Sequence, residues 1–354
     1  MNLRSPFLLA CCATILLGGL ASFSVGETPA VDGTITVGRT FTARDTLNCG
    51  TEPNADAAAC LEGIKWEGGD FVVRVTPSEP GRGDYLLRFP TPHPSGDAVN
   101  DLVAMEWYMA RDEAGKPKHA PAVVVVHESG RGMVAGLMFA RGLQAQGFNT
   151  FMIHLPGYGA RTSAFTRDIK QMFPGLRQAI ADVRRAHDAV AILPNVDSSL
   201  IGLQGTSLGG FVVATVAGLD HAYQKSFVLL AGGQLAKVIL TGKRDAAKMY
   251  QQFASAGVTD QKITDWAATV EPLRLAGRID ASKTWLFSGK FDEVVPPPCS
   301  MAWAEAAKLK DTHHLVFPVG HYTAALFMPV MMQQIGNLLL GQEMKIPEGV
   351  VPAN

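Results

Sequence analysis

Ile201-Gly202-Leu203-Gln204-Gly205-Thr206-Ser207-Leu208-Gly209-Gly210 is the stretch on which the reading of this chain turns. The apolar run from Leu200 to Leu203 enters a G-x-S-x-G pattern, and Phe211 to Gly218 follows as a small-residue-rich apolar segment with the character of a buried helix. Strand, sharp turn and helix therefore meet at Ser207. Such a turn strains its central residue, and a side chain on either flanking glycine would collide with the strand or helix beside it. In return, a hydroxyl is exposed at a helix N-terminus. The five-residue pattern by itself is common in ordinary Gly/Ser turns; the strand before it and the helix after it make Ser207 a candidate nucleophile.

A serine hydroxyl is a poor nucleophile at neutral pH, so it needs a base to take its proton and an acidic group to orient that base. Both candidates lie downstream. Phe287-Ser288-Gly289-Lys290-Phe291-Asp292-Glu293-Val294-Val295-Pro296 places Asp292 in the loop after a buried strand, and Val316-Phe317-Pro318-Val319-Gly320-His321-Tyr322 places His321 in the loop after the last one. Each has a plainer alternative. Asp292 could only cap its own turn, with Glu293 as an adjacent competitor for the orienting role, and His321 could be a surface histidine.

Around these loops the pattern is that of an α/β chain. Asp70 to Thr76, Asp84 to Phe89 and Leu102 to Ala110 read as antiparallel strands in an N-terminal β-rich extension, residues 31–120, with the turn Glu79-Pro80-Gly81-Arg82-Gly83 dividing the first two. From Pro121 uninterrupted apolar strands alternate with helices, as expected of a mostly parallel sheet covered on both faces. Ala122 to Val126, Thr150 to Ile153, Ser226 to Leu230, Thr284 to Phe287 and His314 to Phe317 are the further strands. Met133 to Gln146, Gly175 to Leu193, Met301 to Leu309 and Ala324 to Leu340 are the further helices. Residues 234–280 are too long for a simple crossover and read as a helical insertion over the active-site end. The catalytic part as a whole spans residues 121–345. Met328, Met331 and Met332 read as core residues of the closing helix.

Composition sets outer limits. The chain has 354 residues, 47% of them hydrophobic, and a formal net charge of −1, which allows a large core and offers no basic footprint for a nucleic-acid backbone. Met1 to about Gly26, with Arg4 ahead of an apolar stretch from Phe7 to Leu20 and small residues after it, has a secretory signal pattern. That stretch is shorter than the ~20 residues of a membrane span, so an exported protein without a stable span after cleavage is expected. Leu8-Leu9-Ala10-Cys11 resembles a lipoprotein box only faintly. Of five cysteines, Cys11 and Cys12 would leave with the signal, Cys49 and Cys60 are expected to pair in an oxidising compartment, and Cys299 is left over. No Cys or His spacing suggests a zinc site, and no metal is expected.

The order Ser, Asp, His, each just past the C-terminal end of a strand, is the order of the α/β-hydrolase fold, and from about residue 120 to 340 the chain resembles that superfamily. Val123 to Gly130 is similar to the strand and oxyanion loop that often reads H-G-x-G, and His154-Leu155-Pro156-Gly157-Tyr158-Gly159-Ala160-Arg161 resembles the D-x-P-G-x-G-x-S loop. Asp182 to Gly210 resembles the helix, L-P-x-V-D linker and elbow of dienelactone-hydrolase-like and peptidase-like esterases. The resemblance implies an α/β-hydrolase fold with the insertion after its sixth strand, and a serine hydrolase that needs no organic cofactor. It also implies Ser207, His321 and Asp292 as nucleophile, base and orienting acid. The backbone N–H groups of Leu208 and Ser129 would form the oxyanion hole, with that of Glu128 as a rival for the second place.

Two departures from the pattern stand out. Dienelactone hydrolases proper carry Cys at the elbow, so their specific activity does not transfer. Glu128 stands where the family usually has Gly; it is expected to point away from the oxyanion, pairing with Arg131 or Arg161, unless those groups bind a polar part of the substrate. His127 and His154 read as structural groups at strand ends, and His313 and His314, before the last strand, as solvated. The expected substrate is a small-molecule carboxylic ester; the alternatives are a peptidase or amidase using the same triad, or a binding protein that kept the fold and lost the chemistry. Oligomeric state is not legible.

Overall fold

The computed structural model describes residues 35–163, 168–344, 346 and 349–352. The expected signal segment, residues 1–26, lies outside these. The apolar runs form the centre of one eleven-stranded sheet. Six strands run parallel: β5 (Ala120–Val126), β6 (Asn149–His154), β7 (Val196–Thr206), β8 (Lys225–Leu229), β9 (Thr284–Gly289) and β10 (His314–Phe317), in the spatial order β6-β5-β7-β8-β9-β10. Their lack of polar alternation has a simple cause. Along β5, Ala122, Val124 and Val126 enter one core while Val123 and Val125 enter the other, so both faces need apolar side chains. Helices α2 (Val134–Ala145) and α10 (Met328–Leu339) cover the second face. The first is covered by α3 (Met172–Ala191), α4 (Leu208–Val216) and α9 (Pro297–Ala306). This is the α/β-hydrolase fold.

The N-terminal part continues the same sheet. Strands β1 (Thr40–Arg44), β2 (Asp70–Pro77), β3 (Tyr85–Pro90) and β4 (Leu102–Tyr108) add to it as antiparallel neighbours, β4 pairing with β6. A two-residue strand, β11 (Val351–Pro352), closes the far edge. Between β1 and β2 an Asn/Asp/Ala-rich stretch, for which the hydrophobic pattern marks no element, is helix α1 (Ala55–Ile64). Asn54 caps it by accepting from the N–H groups of Asp56 and Ala57. Its inward stripe is only Ala57, Cys60, Leu61 and Ile64, too small to register as an apolar periodicity. The same helix corrects the expected disulfide. Cys60 is buried in that stripe, Cys49 is half-buried against the core, and both are free thiols; packing, rather than a covalent link, holds this segment.

Residues 234–280 are helical as expected: α5 (Leu235–Thr241), α6 (Asp245–Ser255), α7 (Asp260–Ala268) and α8 (Pro272–Leu275). Glu271 ties the end of this insertion to its beginning, its carboxylate accepting from the N–H groups of Gln234, Leu235 and Leu273. Arg278 then anchors its exit, donating to the carbonyls of Cys49, Gly218 and Leu219 and pairing with Glu52 at 2.5 Å.

A buried ionic pair joins the loop after β6 to α3, and both partners also bond to the extension. Arg161 and Asp182 are fully buried and 2.8 Å apart; Thr91 donates to the carboxylate, and Arg161 donates to the carbonyls of Asn100 and His154. Burial pushes the Asp182 carboxyl up, against the pull of the guanidinium. Asp182→Ala would strand the cation in the interior and is expected to lower stability by about 3–5 kcal/mol, read as a shift of the urea midpoint. A variant that melts with wild type would show that water reaches Arg161.

Candidate active site

The carboxyl ends of β7, β9 and β10 bring three side chains from distant parts of the chain to one rim of the sheet. At the end of β7, Ser207 has φ 54° and ψ −115°, a conformation an L-residue rarely holds. The turn closes because its neighbours have no side chains: a Cβ on Gly209 would lie 2.2 Å from the Val126 carbonyl oxygen, and one on Gly205 2.3 Å from that of Gly209. The Ser207 N–H donates to the Leu229 carbonyl at 2.9 Å, pinning the elbow to β8.

Ser207 Oγ lies 2.9 Å from His321 Nε2, and His321 Nδ1 lies 2.7 Å from Asp292 Oδ2. An ionised carboxylate only accepts, so Nδ1 carries the proton and Nε2 is left as the acceptor for the serine hydroxyl. Asp292 is buried, and its other oxygen, Oδ1, accepts from the N–H groups of Val294 and Val295 at 2.8 and 2.9 Å. The turn-capping and the orienting readings of Asp292 therefore both describe it, one oxygen each. Glu293 is turned outward, to Lys243 at 2.6 Å and Arg244 at 3.5 Å.

The loop after β5 carries Ser129. As the first residue of α4, Leu208 has an N–H with no carbonyl partner within the helix. Ser129 and Leu208 both line a cleft of about 680 Å³, walled by Leu155, Tyr158, Met172 and Leu176 and, from α6, by Asp245 and Met249.

The Ser129 loop is held by a group that sequence reading missed. Tyr158 donates its hydroxyl to the Ser129 carbonyl at 3.0 Å and sets its ring edge-on to His127. The only sequence signal was its place inside the P-G-x-G loop. His127 is structural, as expected: its Nε2 accepts from Leu155 N–H at 3.1 Å, its Nδ1 lies 2.6 Å from the Glu128 carbonyl, and burial pushes its pKa down to about 3. His154 does the same work at the end of β6, with Nε2 at 2.8 Å from Glu106.

Two expectations are corrected. Glu128 pairs with neither Arg131 nor Arg161. Its carboxylate accepts from Gly136 N–H at 3.1 Å in the first turn of α2, where the orphan amides and the helix dipole favour an anion; Arg161 is taken by Asp182. His314 is not solvated and His313 is only partly so. His313 stacks on Trp285, centroids 4.5 Å apart, and His314 is buried with Nε2 2.8 Å from Ser288 Oγ.

Burial pushes His314 down to about pH 4. Between that value and about 6.5, where an exposed histidine titrates, the unfolded chain binds the extra proton and the folded chain does not. Stability is therefore expected to fall as pH drops from about 6.5 to about 4, and His314→Gln to flatten that slope, checked by urea unfolding at several pH values. An unchanged slope would place the acid sensitivity elsewhere.

Among the described residues no group of three or more His, Cys, Asp or Glu is placed to hold a metal ion. A hydroxyl, imidazole and carboxylate in relay at the elbow of this fold define a serine hydrolase of the α/β-hydrolase superfamily. A profile of the prolyl oligopeptidase family matches residues 139–319, half of the chain, and the chain belongs to that family. The matched span includes Ser207 and Asp292 and stops two residues before His321.

No curated protein matches the sequence. Solved structures share the fold at low identity. An acetyl xylan esterase from a Paenibacillus species is 14% identical, with TM-score 0.55, over 84% of this chain and 96% of its own. An acetyl xylan esterase from a Thermoanaerobacterium species is 16% identical, with TM-score 0.51, over 78% and 92%. The Pyrococcus horikoshii acylaminoacyl peptidase is 12% identical, with TM-score 0.54, over 80% of this chain but only 53% of its own.

Proposed function

We propose that this protein is an exported hydrolase of small carboxylic esters, working through an acyl-enzyme. The observation that carries the reading is the relay from Ser207 to His321 to Asp292 at 2.9 and 2.7 Å. As Ser207 Oγ attacks the ester carbonyl carbon, its proton passes to His321 Nε2, and the tetrahedral oxyanion is met by the N–H groups of Leu208 and Ser129. Collapse breaks the bond to the alkoxide, which takes the proton from His321 and leaves as the alcohol. Water, deprotonated by the same imidazole, attacks the acyl-enzyme and releases the acid and free Ser207.

Ester rather than amide substrates are favoured by how residues 35–120 are used. They form strands of the central sheet and a helix against its core, not a body placed over the site. Consistent with this, the chain spans nearly the whole Paenibacillus esterase and about half of the Pyrococcus peptidase. The second reading, a peptidase, rests on the family itself. Export is supported by the signal pattern of residues 1–26; no helix among the described residues is long and apolar enough to cross a membrane.

The test is a panel of p-nitrophenyl esters of increasing acyl length against matched peptide p-nitroanilides. The ester reading expects kcat/KM at least about a hundredfold higher on the best ester, allowing for the intrinsically easier leaving group. Comparable or faster anilide cleavage would select the peptidase.

A further inference from the structure

The insertion meets the active site through three consecutive residues, Lys243 and Arg244 before α6 and Asp245 at its start. Lys243 N–H donates to the Glu293 carbonyl at 2.7 Å, and its ammonium reaches the Glu293 carboxylate at 2.6 Å. Arg244, held at φ 57°, lies 3.5 Å from the same carboxylate, with its guanidinium carbon 5.7 Å from the centre of the Tyr322 ring. Asp245 Oδ2 accepts the Tyr322 hydroxyl at 2.6 Å. Residues 243–245 thus grip the loop that carries Asp292 with one end and the loop that carries His321 with the other. Tyr322 also sets its ring perpendicular to the His321 imidazole, 5.6 Å between centroids.

This grip has no counterpart in the requirements of the fold. Tyr322 is half-exposed, and Lys243, Arg244 and Glu293 face solvent, so little buried area depends on them. A non-glycine residue at positive φ is retained against its own preference only where its surroundings hold it there. What the contacts do secure is the separation of the two loops, and with it the line from Asp292 through His321 to Ser207. Asp245 also lines the cleft that Ser129 and Leu208 line, so the same residue touches both that cleft and the base-carrying loop.

We propose that Tyr322 and Asp245 are positioning residues: their hydrogen bond fastens the His321 loop to the insertion and keeps Nε2 facing Ser207. The inference rests on the serine-hydrolase reading of the triad. It assigns the insertion a part in the chemistry beyond shaping the cleft. Tyr322 acts through His321 and contributes nothing to the reacting atoms.

The test compares wild type, Tyr322→Phe, Asp245→Asn and Asp245→Ala as full chains, reading the rate of fluorophosphonate labelling, kcat and KM on a p-nitrophenyl ester, and the melting temperature. Tyr322→Phe keeps the ring and loses the hydroxyl. It is expected to slow labelling and kcat together by roughly tenfold, with KM within about twofold and little change in melting. Asp245→Asn keeps an oxygen for the hydroxyl and is expected to recover most of the labelling rate that Asp245→Ala loses. Labelling of Tyr322→Phe at the wild-type rate, or equal losses in Asp245→Asn and Asp245→Ala, would overturn the positioning role alone. A wild type that does not label would overturn the triad and this inference together.

Discussion

Ser207→Ala is expected to lower kcat by a factor on the order of 10⁴ to 10⁶ and to abolish fluorophosphonate labelling, with the fold and KM little altered. The size follows from what is removed. Without Oγ there is no acyl-enzyme, and the imidazole at 2.9 Å from that oxygen has no hydroxyl to deprotonate. The proposed oxyanion donors Ser129 and Leu208 stay in place and would assist only a slow attack by water. The substitution is gentle elsewhere, because the elbow is held by Ser207 N–H and the flanking glycines rather than by its side chain. Equal labelling of wild type and Ser207→Ala, read by intact mass, would end the assignment.

Asp292→Asn is expected to cost nearly as much, about 10³ to 10⁴ in kcat. Oδ1 of Asp292 serves the N–H groups of Val294 and Val295, so an asparagine will turn its carbonyl oxygen to them and its NH₂ toward His321. An NH₂ only donates. His321 Nδ1 must then accept, the proton moves to Nε2, and the nitrogen facing Ser207 can no longer take its proton. Reading the sequence alone, Glu293 stands as a possible substitute for the lost acid. The structure removes that substitute, since Glu293 points away and is engaged by Lys243 and Arg244. Activity within about tenfold of wild type would place the orienting group elsewhere.

Much of the site was legible because its signals are local. Positive φ at Ser207 between two glycines follows from the steric demands of a strand-turn-helix elbow, and a loop after a buried strand places Asp292 or His321 whatever the rest of the chain does. The parallel strands were legible for a related reason: burial on both faces leaves runs such as Ala122 to Val126 without a polar residue. Helix α1 was not legible, because an inward stripe of Ala57, Cys60, Leu61 and Ile64 becomes apolar surface worth burying only once α8 and the core are there to receive it.

The misread groups have the same cause. Glu128, Arg161 and His314 found partners on another element that no local pattern marks: the amides of α2, Asp182 and Ser288. Cys49 and Cys60 looked like a pair by compartment, yet the burial of Cys60 in α1 gave that thiol a packing role. By itself, then, the sequence marked the strands of the parallel core, the elbow, and the candidates for nucleophile, acid and base, since each depends on backbone sterics and hydrophobic pattern over about ten residues. Only the tertiary structure decided which buried charges meet, which thiols stay free, and that Lys243 to Asp245 reach across to two catalytic loops, because such contacts are selected by three-dimensional proximity and by the cost of leaving a polar group unpaired.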